Sequence, residues 1–261
     1  MLIVYEHPLS PYAQKVKISL REKGIDFETR LPSGIGTGDT PDDFMNGNPR
    51  GEVPLLRDGD TAIFDSTVIL EYIEDKWPTP PMLPAAPADR ARVRIIEDVM
   101  DCHYEPINWG LGELNHFKRA TGALKEKIEA RAAQQAAGLH AWLERELGRR
   151  DWFNGETFGW GDLSVIPYVN GSAGFGLTPP EGSALAAWQA RAMARPSVST
   201  AAQEALDSIS GMQDVSGAVE AGLFKREYRD HRLEWMIKSG GLDVVLKGLE
   251  KDNIRFTPDF S

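Results

Sequence analysis

A run of prolines divides this chain into two parts whose hydrophobic patterns differ. Five of the ten residues from Pro78 to Pro87 are proline, and neither a helix interior nor a central strand continues through such a run. Residues 1–77 alternate strand and helix signals, whereas residues from 89 onward show helical spacing without strand alternation. The sequence therefore predicts a small α/β domain at 1–77, a linker at 78–88 and an all-helical domain at 89–210.

Caps, turns and spacing define the elements of the first part. Ser10 is an N-cap residue, Pro11 stands at a first helical position, and Gly24 ends the helix that they begin. Asp58-Gly59 supplies the tight turn of a hairpin. The expected order is strand 2–5, a helix from Ser10 to Gly24, strand 25–29, an irregular segment at 32–49 with one helical turn, strands 53–56 and 61–64, and a helix from Asp65 to Lys76 that buries Val68, Ile69, Tyr72 and Ile73.

The second part is predicted to contain only helices. Pro106 lies inside the first of them and should kink or divide it. Aromatic and aliphatic residues continue through 211–261, so we expect this extension to dock on the helical domain. The helices are expected near 89–118, 122–148, 160–172, 183–194 and 198–210.

The composition excludes several classes of function. Twenty-nine basic and 39 acidic residues give a net charge of −10, which disfavours nucleic acid or an anionic membrane as the main partner. The first apolar run, residues 1–5, is too short for a signal peptide or a membrane span. Cys102 is the only cysteine, so no intrachain disulfide is expected and a cytoplasmic location is favoured. The five histidines lack the spacing of zinc ligands, so no metal site is expected.

Three features of the first part each allow a structural and a chemical interpretation. Ser10, at a helix N-terminus, is either a cap alone or a hydroxyl beside N–H groups and a helix dipole that stabilise a thiolate. Val53-Pro54 is either a plain strand entry or a cis bond that presents the Val53 backbone to an extended peptide. Asp65-Ser66 is either a helix cap or a pair that holds the ammonium and carboxylate of an amino acid.

In this order, followed by a linker and a helical domain, these features resemble the cytosolic glutathione transferase family. The resemblance is strong to about residue 80 and weaker to about residue 205, and it does not extend to the tail after 210. It implies a thioredoxin-like first domain and an all-α second domain. The motifs that carry it are Ser10-Pro11-Tyr12-Ala13-Gln14-Lys15-Val16, Asn48-Pro49-Arg50-Gly51-Glu52-Val53-Pro54-Leu55-Leu56, and Asp65-Ser66-Thr67-Val68-Ile69-Leu70-Glu71-Tyr72-Ile73, with Phe158-Gly159-Trp160-Gly161-Asp162 and Ala194-Arg195-Pro196-Ser197-Val198 as weaker matches.

The resemblance implies a role for each motif. Glutathione would be the cosubstrate, with Ser10 donating a hydrogen bond to its sulfur and Val53 pairing with its cysteinyl backbone. Asp65 and Ser66 would hold the γ-glutamyl group, and Pro54 and Glu52 would belong to the same binding segment. A free thiol with a pKa near 8.5 is only a few per cent ionised at neutral pH, so groups that stabilise the thiolate are needed.

The chain departs from the family pattern at three places. A serine at position 10, where family members that exchange disulfides carry cysteine, disfavours thiol-transfer chemistry. Near the expected site for the glycine carboxylate, only Asn46 and Asn48 are available. The capping box of the helical domain begins with Gly159, where the family usually has serine or threonine, three residues before Asp162.

The predicted function is attack of bound glutathione thiolate on a small, hydrophobic electrophile, a reaction associated with detoxification. One alternative is glutathione-dependent β-aryl ether cleavage, because Leu9-Ser10-Pro11-Tyr12 is similar to the first motif of bacterial etherases. Another is a non-catalytic binding protein with this fold. The family further implies a homodimer.

Aromatic residues of the helical domain are candidates for the acceptor pocket. Tyr104 and Trp109, together with Phe117 and Phe175, could line a pocket beside Tyr12. Each could instead be a core residue.

Overall fold

The computed structural model describes residues 1–34, 42–210, 215–221 and 231–251. The strands are β1 (Leu2–Tyr5), β2 (Phe27–Arg30), β3 (Leu55–Asp58) and β4 (Thr61–Phe64). The helices are α1 (Pro11–Glu22), α2 (Asp42–Gly47), α3 (Ser66–Lys76), α4 (Pro87–Val99), a π-helix (Met100–Tyr104), α5 (Glu105–Asn115), α6 (Gly122–Leu147), α7 (Trp160–Ala173), α8 (Ala184–Met193), α9 (Pro196–Ser210), α10 (Val215–Glu220), α11 (His231–Lys238) and α12 (Leu242–Glu250).

The four strands form one mixed sheet in the order β2-β1-β3-β4. β1 pairs in parallel with β2, whereas β3 is antiparallel to both β1 and β4. α1 and α3 pack together beside the sheet, and Val16, Leu20, Ile69 and Ile73 close a core with Leu56. This arrangement confirms the thioredoxin-like first domain and the all-α second domain.

Three local expectations require comment. β2 begins at Phe27 rather than residue 25. Val68 was predicted on the buried side of α3, but it is 53% exposed, because this position faces away from both the sheet and α1. Of the irregular segment at 32–49, residues 35–41 lie outside the described residues, and α2 provides the predicted helical turn.

The first predicted helix of the second part is divided before Pro106. α4 continues into the π-helix, and α5 then starts with Pro106 in its first turn. Because proline lacks an N–H group and its ring crowds the preceding turn, the regular α pattern does not pass through it unchanged.

α7 is the central helix of the second part. Nearly all its residues are buried, including Leu163, Val165 and Ile166, so it has no broad solvent-exposed face. A helix that is buried nearly all round belongs in a core, and α7 packs on α1, α4, α5 and α8.

The C-terminal part of the described chain forms short helices, of which α11 and α12 pack on each other. Much of the linking chain lies outside the described residues. The docking of 211–261 on the helical domain stays a prediction.

Gly159 at the start of α7 has a steric role. Its N–H donates to Asp162 Oδ2 at 3.0 Å, which forms the carboxylate half of the predicted capping box. Its φ of −169° is extended backbone that any residue adopts. A Cβ at this position, however, would overlap the side chain of Asn154 and the carbonyl oxygen of Met82. The lack of space explains why glycine stands where a hydroxyl residue would cap better.

We expect Gly159→Ser to lower stability by about 2 kcal/mol, the usual cost of overpacking, although serine is generally the better N-cap. Thermal unfolding measures the change. Gly110→Ser is the matched control, because a Cβ at Gly110 meets nothing within 4 Å. A Gly159→Ser protein as stable as the parent would contradict the steric explanation.

Candidate functional site

Three strand ends meet at one edge of the sheet. The register places Tyr5 of β1 opposite Leu55 of β3, and Leu55 opposite Phe64 of β4. The chain leaves the sheet after Tyr5 and Phe64, and it enters the sheet at Leu55. The segments next to these three residues therefore share an edge, and they carry most of the predicted site residues: Ser10, Glu52, Val53, Pro54, Asp65 and Ser66.

Ser10 is the N-cap of α1. Its Oγ accepts a hydrogen bond from the N–H of Ala13 at 3.3 Å, and its own N–H donates to the carbonyl of His7 at 2.8 Å. The cap uses a lone pair of the hydroxyl oxygen, so the O–H hydrogen is not consumed by it. Capping and donation to a ligand are therefore compatible roles for Ser10, which is half-buried at the positive end of the α1 dipole.

The segment before β3 contains the predicted cis bond. The Val53-Pro54 peptide is cis, and Val53 lies just outside the strand pairing, which begins at Leu55. Asn48, which is 1% exposed, donates from its side-chain amide to the carbonyl oxygen of Glu52. The buried amide of Asn48 thus holds the backbone of this segment at Glu52.

Asp65 and Ser66 begin α3. Asp65 has a φ of 75°, a conformation that is uncommon for a residue other than glycine. Its Oδ1 accepts from the N–H groups of Thr67 at 3.1 Å and Val68 at 3.4 Å, and Ser66 is 5% exposed. Unusual backbone conformations of this kind occur often at ligand sites.

A buried ionic cluster that the sequence analysis did not identify connects these elements to the second domain. Lys15 Nζ on α1 lies 2.8 Å from Glu97 Oε1 and 2.7 Å from Asp101 Oδ2, and its side chain is fully buried. Glu97 also accepts from Thr67 Oγ1 at 2.9 Å and from Trp160 Nε1 at 2.5 Å. Both helices that begin at the site, α1 and α3, are therefore bonded to the same carboxylate.

Electrostatic shifts in this cluster follow from its charges. Burial raises the pKa of Asp101, and the nearby Glu97 adds to this, against the lowering effect of Lys15. Burial by itself would lower the pKa of Lys15, but attraction to Asp101 and Glu97 outweighs it and raises that pKa. Tyr168 donates to Asp101 Oδ1 at 2.6 Å. The cluster thus holds one cation between two acidic groups that are satisfied by hydrogen bonds.

A sequence signal for the cluster exists. Glu97 and Asp101 stand four residues apart among the apolar residues Val93, Ile96 and Met100, so both belong to a largely buried helix face. Buried carboxylates need a partner. That requirement indicates a cation elsewhere in the chain but does not identify Lys15.

The candidate pocket residues lie in different environments. Tyr12 is half-buried next to Ser10, and its hydroxyl donates to the carbonyl of Asp101 at 3.2 Å. Trp109 is half-buried on α5. Tyr104, in contrast, is 0% exposed, and its hydroxyl lies 2.6 Å from His140 Nε2 and 2.8 Å from Ser172 Oγ. The structure thus corrects the expectation for Tyr104: it is a core residue because its polar end is satisfied inside the helical domain.

Burial shifts the pKa values of both titratable groups in this contact, the Tyr104 phenol and the His140 imidazole. Burial lowers the pKa of His140 to about 4, so the imidazole is neutral at physiological pH. Burial likewise raises the pKa of the Tyr104 phenol. Neither group is available for acid–base chemistry near neutrality.

The other two aromatic candidates, Phe117 and Phe175, belong to the helical domain. Phe117 is 8% exposed. Phe175 packs against the His116 ring and lines an open cavity of about 550 Å³ with Leu111, Asn115, His116, Glu129, Gly174 and Leu177.

No group of three or more potential metal ligands occurs among residues 1–34, 42–210, 215–221 and 231–251. No helix in that part of the chain is both long and apolar enough to cross a membrane.

Comparison with known proteins agrees with the geometry. Residues 9–76 match the family described as glutathione S-transferase, N-terminal domain. Glutathione S-transferase U28 of Arabidopsis thaliana is 29% identical over 171 residues, which are 65% of this chain and 71% of that protein. A stringent starvation protein A homolog of Haemophilus influenzae is 30% identical over 158 residues, which are 60% of this chain and 68% of that protein.

A solved structure supports the same assignment. The crystal structure of a rice glutathione S-transferase in complex with glutathione is 26% identical, with a TM-score of 0.67. The match covers 81% of this chain and 97% of the rice protein.

We expect Lys15→Met to lower the free energy of unfolding by about 3–5 kcal/mol, because it leaves two carboxylates in the interior without their cation. Urea unfolding measures this. Lys125→Met is the matched control: Lys125 forms an i,i+4 pair with Glu129 on the partly exposed surface of α6, and its loss should cost less than about 1 kcal/mol. Equal effects of the two substitutions would contradict the proposed importance of the buried cluster.

Proposed function

Because the chain belongs to the glutathione transferase family and glutathione is the cosubstrate of that family, we propose that its sheet edge binds glutathione and activates the thiol for attack on a hydrophobic electrophile. The observation that carries this proposal is the meeting of Ser10, Val53 and Asp65 at one edge of the sheet. Glutathione supplies the nucleophilic sulfur. The protein supplies binding, orientation and stabilisation of the thiolate.

Ser10 is the proposed catalytic residue. Its hydroxyl hydrogen is not used by the helix cap, in which the oxygen is the acceptor, so it can be donated to the sulfur. The first N–H groups of α1 and the positive end of the helix dipole favour an anion at the same place. Each 1.4 kcal/mol of preferential thiolate stabilisation lowers the thiol pKa by about one unit.

The remaining site residues are proposed to bind the tripeptide. Val53 stands outside the strand pairing, two residues before the start of β3, where its backbone is positioned to pair with the cysteinyl residue. Pro54 and Glu52 complete that segment. Asp65 and Ser66 hold the γ-glutamyl group through the carboxylate and the start of α3.

The acceptor is proposed to bind beside Tyr12 and Trp109, the two half-buried members of the predicted pocket. Aromatic walls suit flat, apolar electrophiles. The similarity of residues 9–12 to the first motif of etherases makes β-aryl ethers one class of acceptor to include in assays. The same proposal places the protein in the cytoplasm, with a role in detoxification.

A non-catalytic binding function is the second candidate. One relative that is 30% identical is named a stringent starvation protein A homolog and not a transferase. Turnover of a chloro-nitroaromatic acceptor with glutathione favours the enzyme, whereas retention on glutathione-agarose without turnover of any acceptor favours the binding protein.

We expect Ser10→Ala to reduce turnover by about 100-fold, in the range for loss of a donor to a developing anion, while glutathione binding persists. The thiol pKa of bound glutathione, measured from the pH dependence of thiolate absorbance, should rise because the thiolate loses its donor. Loss of the cap should also cost about 1 kcal/mol of stability.

Ser183→Ala is the matched control for Ser10→Ala. Ser183 Oγ caps α8 by accepting from the N–H of Ala186 at 3.1 Å, so this change removes a cap outside the proposed site. It should leave turnover and thiol pKa unchanged. If Ser10→Ala behaved in the same way, Ser10 would be a cap alone.

A homodimer is the proposed assembly. Val68 on α3 and Ile95 on α4 are 53% and 58% exposed, and an ion pair between Glu71 and Arg94 joins the same two helices. The proposal rests on the family, whose members are typically dimeric, and these two exposed apolar side chains are candidate contacts with the second copy. Sedimentation at micromolar concentration should give twice the chain mass of 28.9 kDa; a species of the single-chain mass would contradict the dimer.

A further inference from the structure

An open cavity of about 550 Å³ lies in the helical domain at the end of α5. α5 contributes Leu111 and Asn115 to its lining, and His116 follows directly. Glu129 comes from α6, and Phe175 comes from the segment after α7. This volume is in the range of small-molecule pockets, roughly 300–1,000 Å³.

The cavity is distinct from the proposed glutathione and acceptor sites. All its described lining residues belong to the helical domain, so none of these walls comes from the sheet edge that carries Ser10. The helical chain from Asp101, whose carbonyl meets Tyr12, to Leu111 is about 15 Å long. A compound in the cavity is therefore not placed for attack by a sulfur at Ser10.

A small polar network between α5 and α6 forms one side of the cavity. Asn115 donates from its side-chain amide to Glu129 Oε1 at 3.4 Å, and Lys125 Nζ lies 3.5 Å from the same oxygen. Lys125 also donates to Asn115 Oδ1 at 2.9 Å. Because Lys125 balances the charge of Glu129, this side of the cavity is polar without a net charge.

His116 brings unused hydrogen-bonding capacity to the cavity. Its ring is half-buried and packs on Phe175, with the ring centroids 5.6 Å apart and the planes at 52°. Among the described residues, neither of its ring nitrogens has a hydrogen-bond partner. Burial and the charge of Lys118 lower the pKa of the imidazole. The ring is therefore neutral at physiological pH and offers one donor and one acceptor.

These surroundings define the chemistry of a suitable ligand. Phe175 and two leucines provide apolar surface for a flat ring. An anion would meet the Glu129 carboxylate, and a cation would meet the ammonium groups of Lys118 and Lys125. A neutral hydroxyl group avoids both conflicts, and it can exchange a hydrogen bond with a neutral imidazole in either direction.

We propose that this cavity is a second small-molecule site, which binds a neutral aromatic compound through a hydroxyl group at His116 and a ring against Phe175. The site requires no bound glutathione. It therefore stands or falls independently of the proposed function.

The test is equilibrium dialysis of the full chain and its variants against 2-naphthol and against naphthalene, which lacks the hydroxyl group. We expect His116→Phe to weaken 2-naphthol about fivefold, the effect of one lost hydrogen bond. Its affinity for naphthalene should change less than about twofold, because the phenyl ring keeps the contact with Phe175. Thermal unfolding shows whether each variant is folded.

A second variant tests the cavity without relying on His116. Leu177 lines the cavity and is half-buried, so the larger side chain of Leu177→Trp should occupy the space. We expect it to weaken both compounds about tenfold or more, because the pocket volume is lost.

Two variants outside the cavity serve as controls. His103→Phe makes the same change as His116→Phe, but on the π-helix, and it should leave both affinities unchanged. Tyr12→Leu removes an aromatic ring of the proposed acceptor site and should likewise have no effect on 2-naphthol.

Each other outcome overturns the proposal. Equal affinities of the parent and His116→Phe for 2-naphthol would remove His116 from the contact. A loss with Tyr12→Leu would place the compound in the acceptor site, so the cavity would not be a separate site. A Leu177→Trp protein that binds both compounds like the parent, or a parent protein that binds neither, would equally contradict the proposal.

Discussion

The structure depends on the burial of α1 between two dissimilar layers. Every residue from Ala13 to Leu20 is buried. Val16 and Leu20 face the sheet, whereas Ile18 belongs to the core of the helical domain. Lys15 and Lys17 have no exposed side-chain surface, so the helix is stable there only because carboxylates accompany both lysines. Lys15 meets Glu97 and Asp101, and Lys17 meets Glu6 and Glu204.

The need of the buried lysines for carboxylate partners links the two domains in a specific geometry. A purely apolar contact would tolerate sliding, but a buried ammonium between two carboxylates is satisfied in few positions. Glu97 accepts from Lys15 on α1 and from Thr67 on α3, and these helices begin at Ser10 and Ser66. The parts of the proposed glutathione site thus share a support in the second domain. A binding site needs such support to hold its geometry.

Local chemistry in the sequence predicted much of the first domain. Ser10-Pro11, Asp58-Gly59 and Asp65-Ser66 are signals that act over two to four residues, and each produced the expected cap or turn. The meeting of these segments at one sheet edge followed from the β-α-β order and the hairpin. Identification of the family supplied the ligand that such an edge holds.

Long-range partnerships were not predictable in the same way. Spacing marked Val16 and Leu20 as buried, but it could not show that the neighbouring Lys15 is buried too, because the carboxylate partners of Lys15 lie more than 80 residues away along the chain. Tyr104 looked suited to a pocket, yet His140 and Ser172 satisfy its hydroxyl in the core. The sequence indicated only that Gly159 is a weaker cap than serine, whereas in the structure Asn154 and Met82 leave no room for a side chain at this position.

The central claim is that one edge of the sheet places the glutathione sulfur at Ser10. A crystal structure of the protein with bound glutathione tests this most directly. The account predicts the sulfur within hydrogen-bonding distance of Ser10 Oγ, the cysteinyl backbone paired with Val53, and the γ-glutamyl group at Asp65 and Ser66. Glutathione bound elsewhere, or bound at this edge with its sulfur facing away from Ser10, would contradict the account.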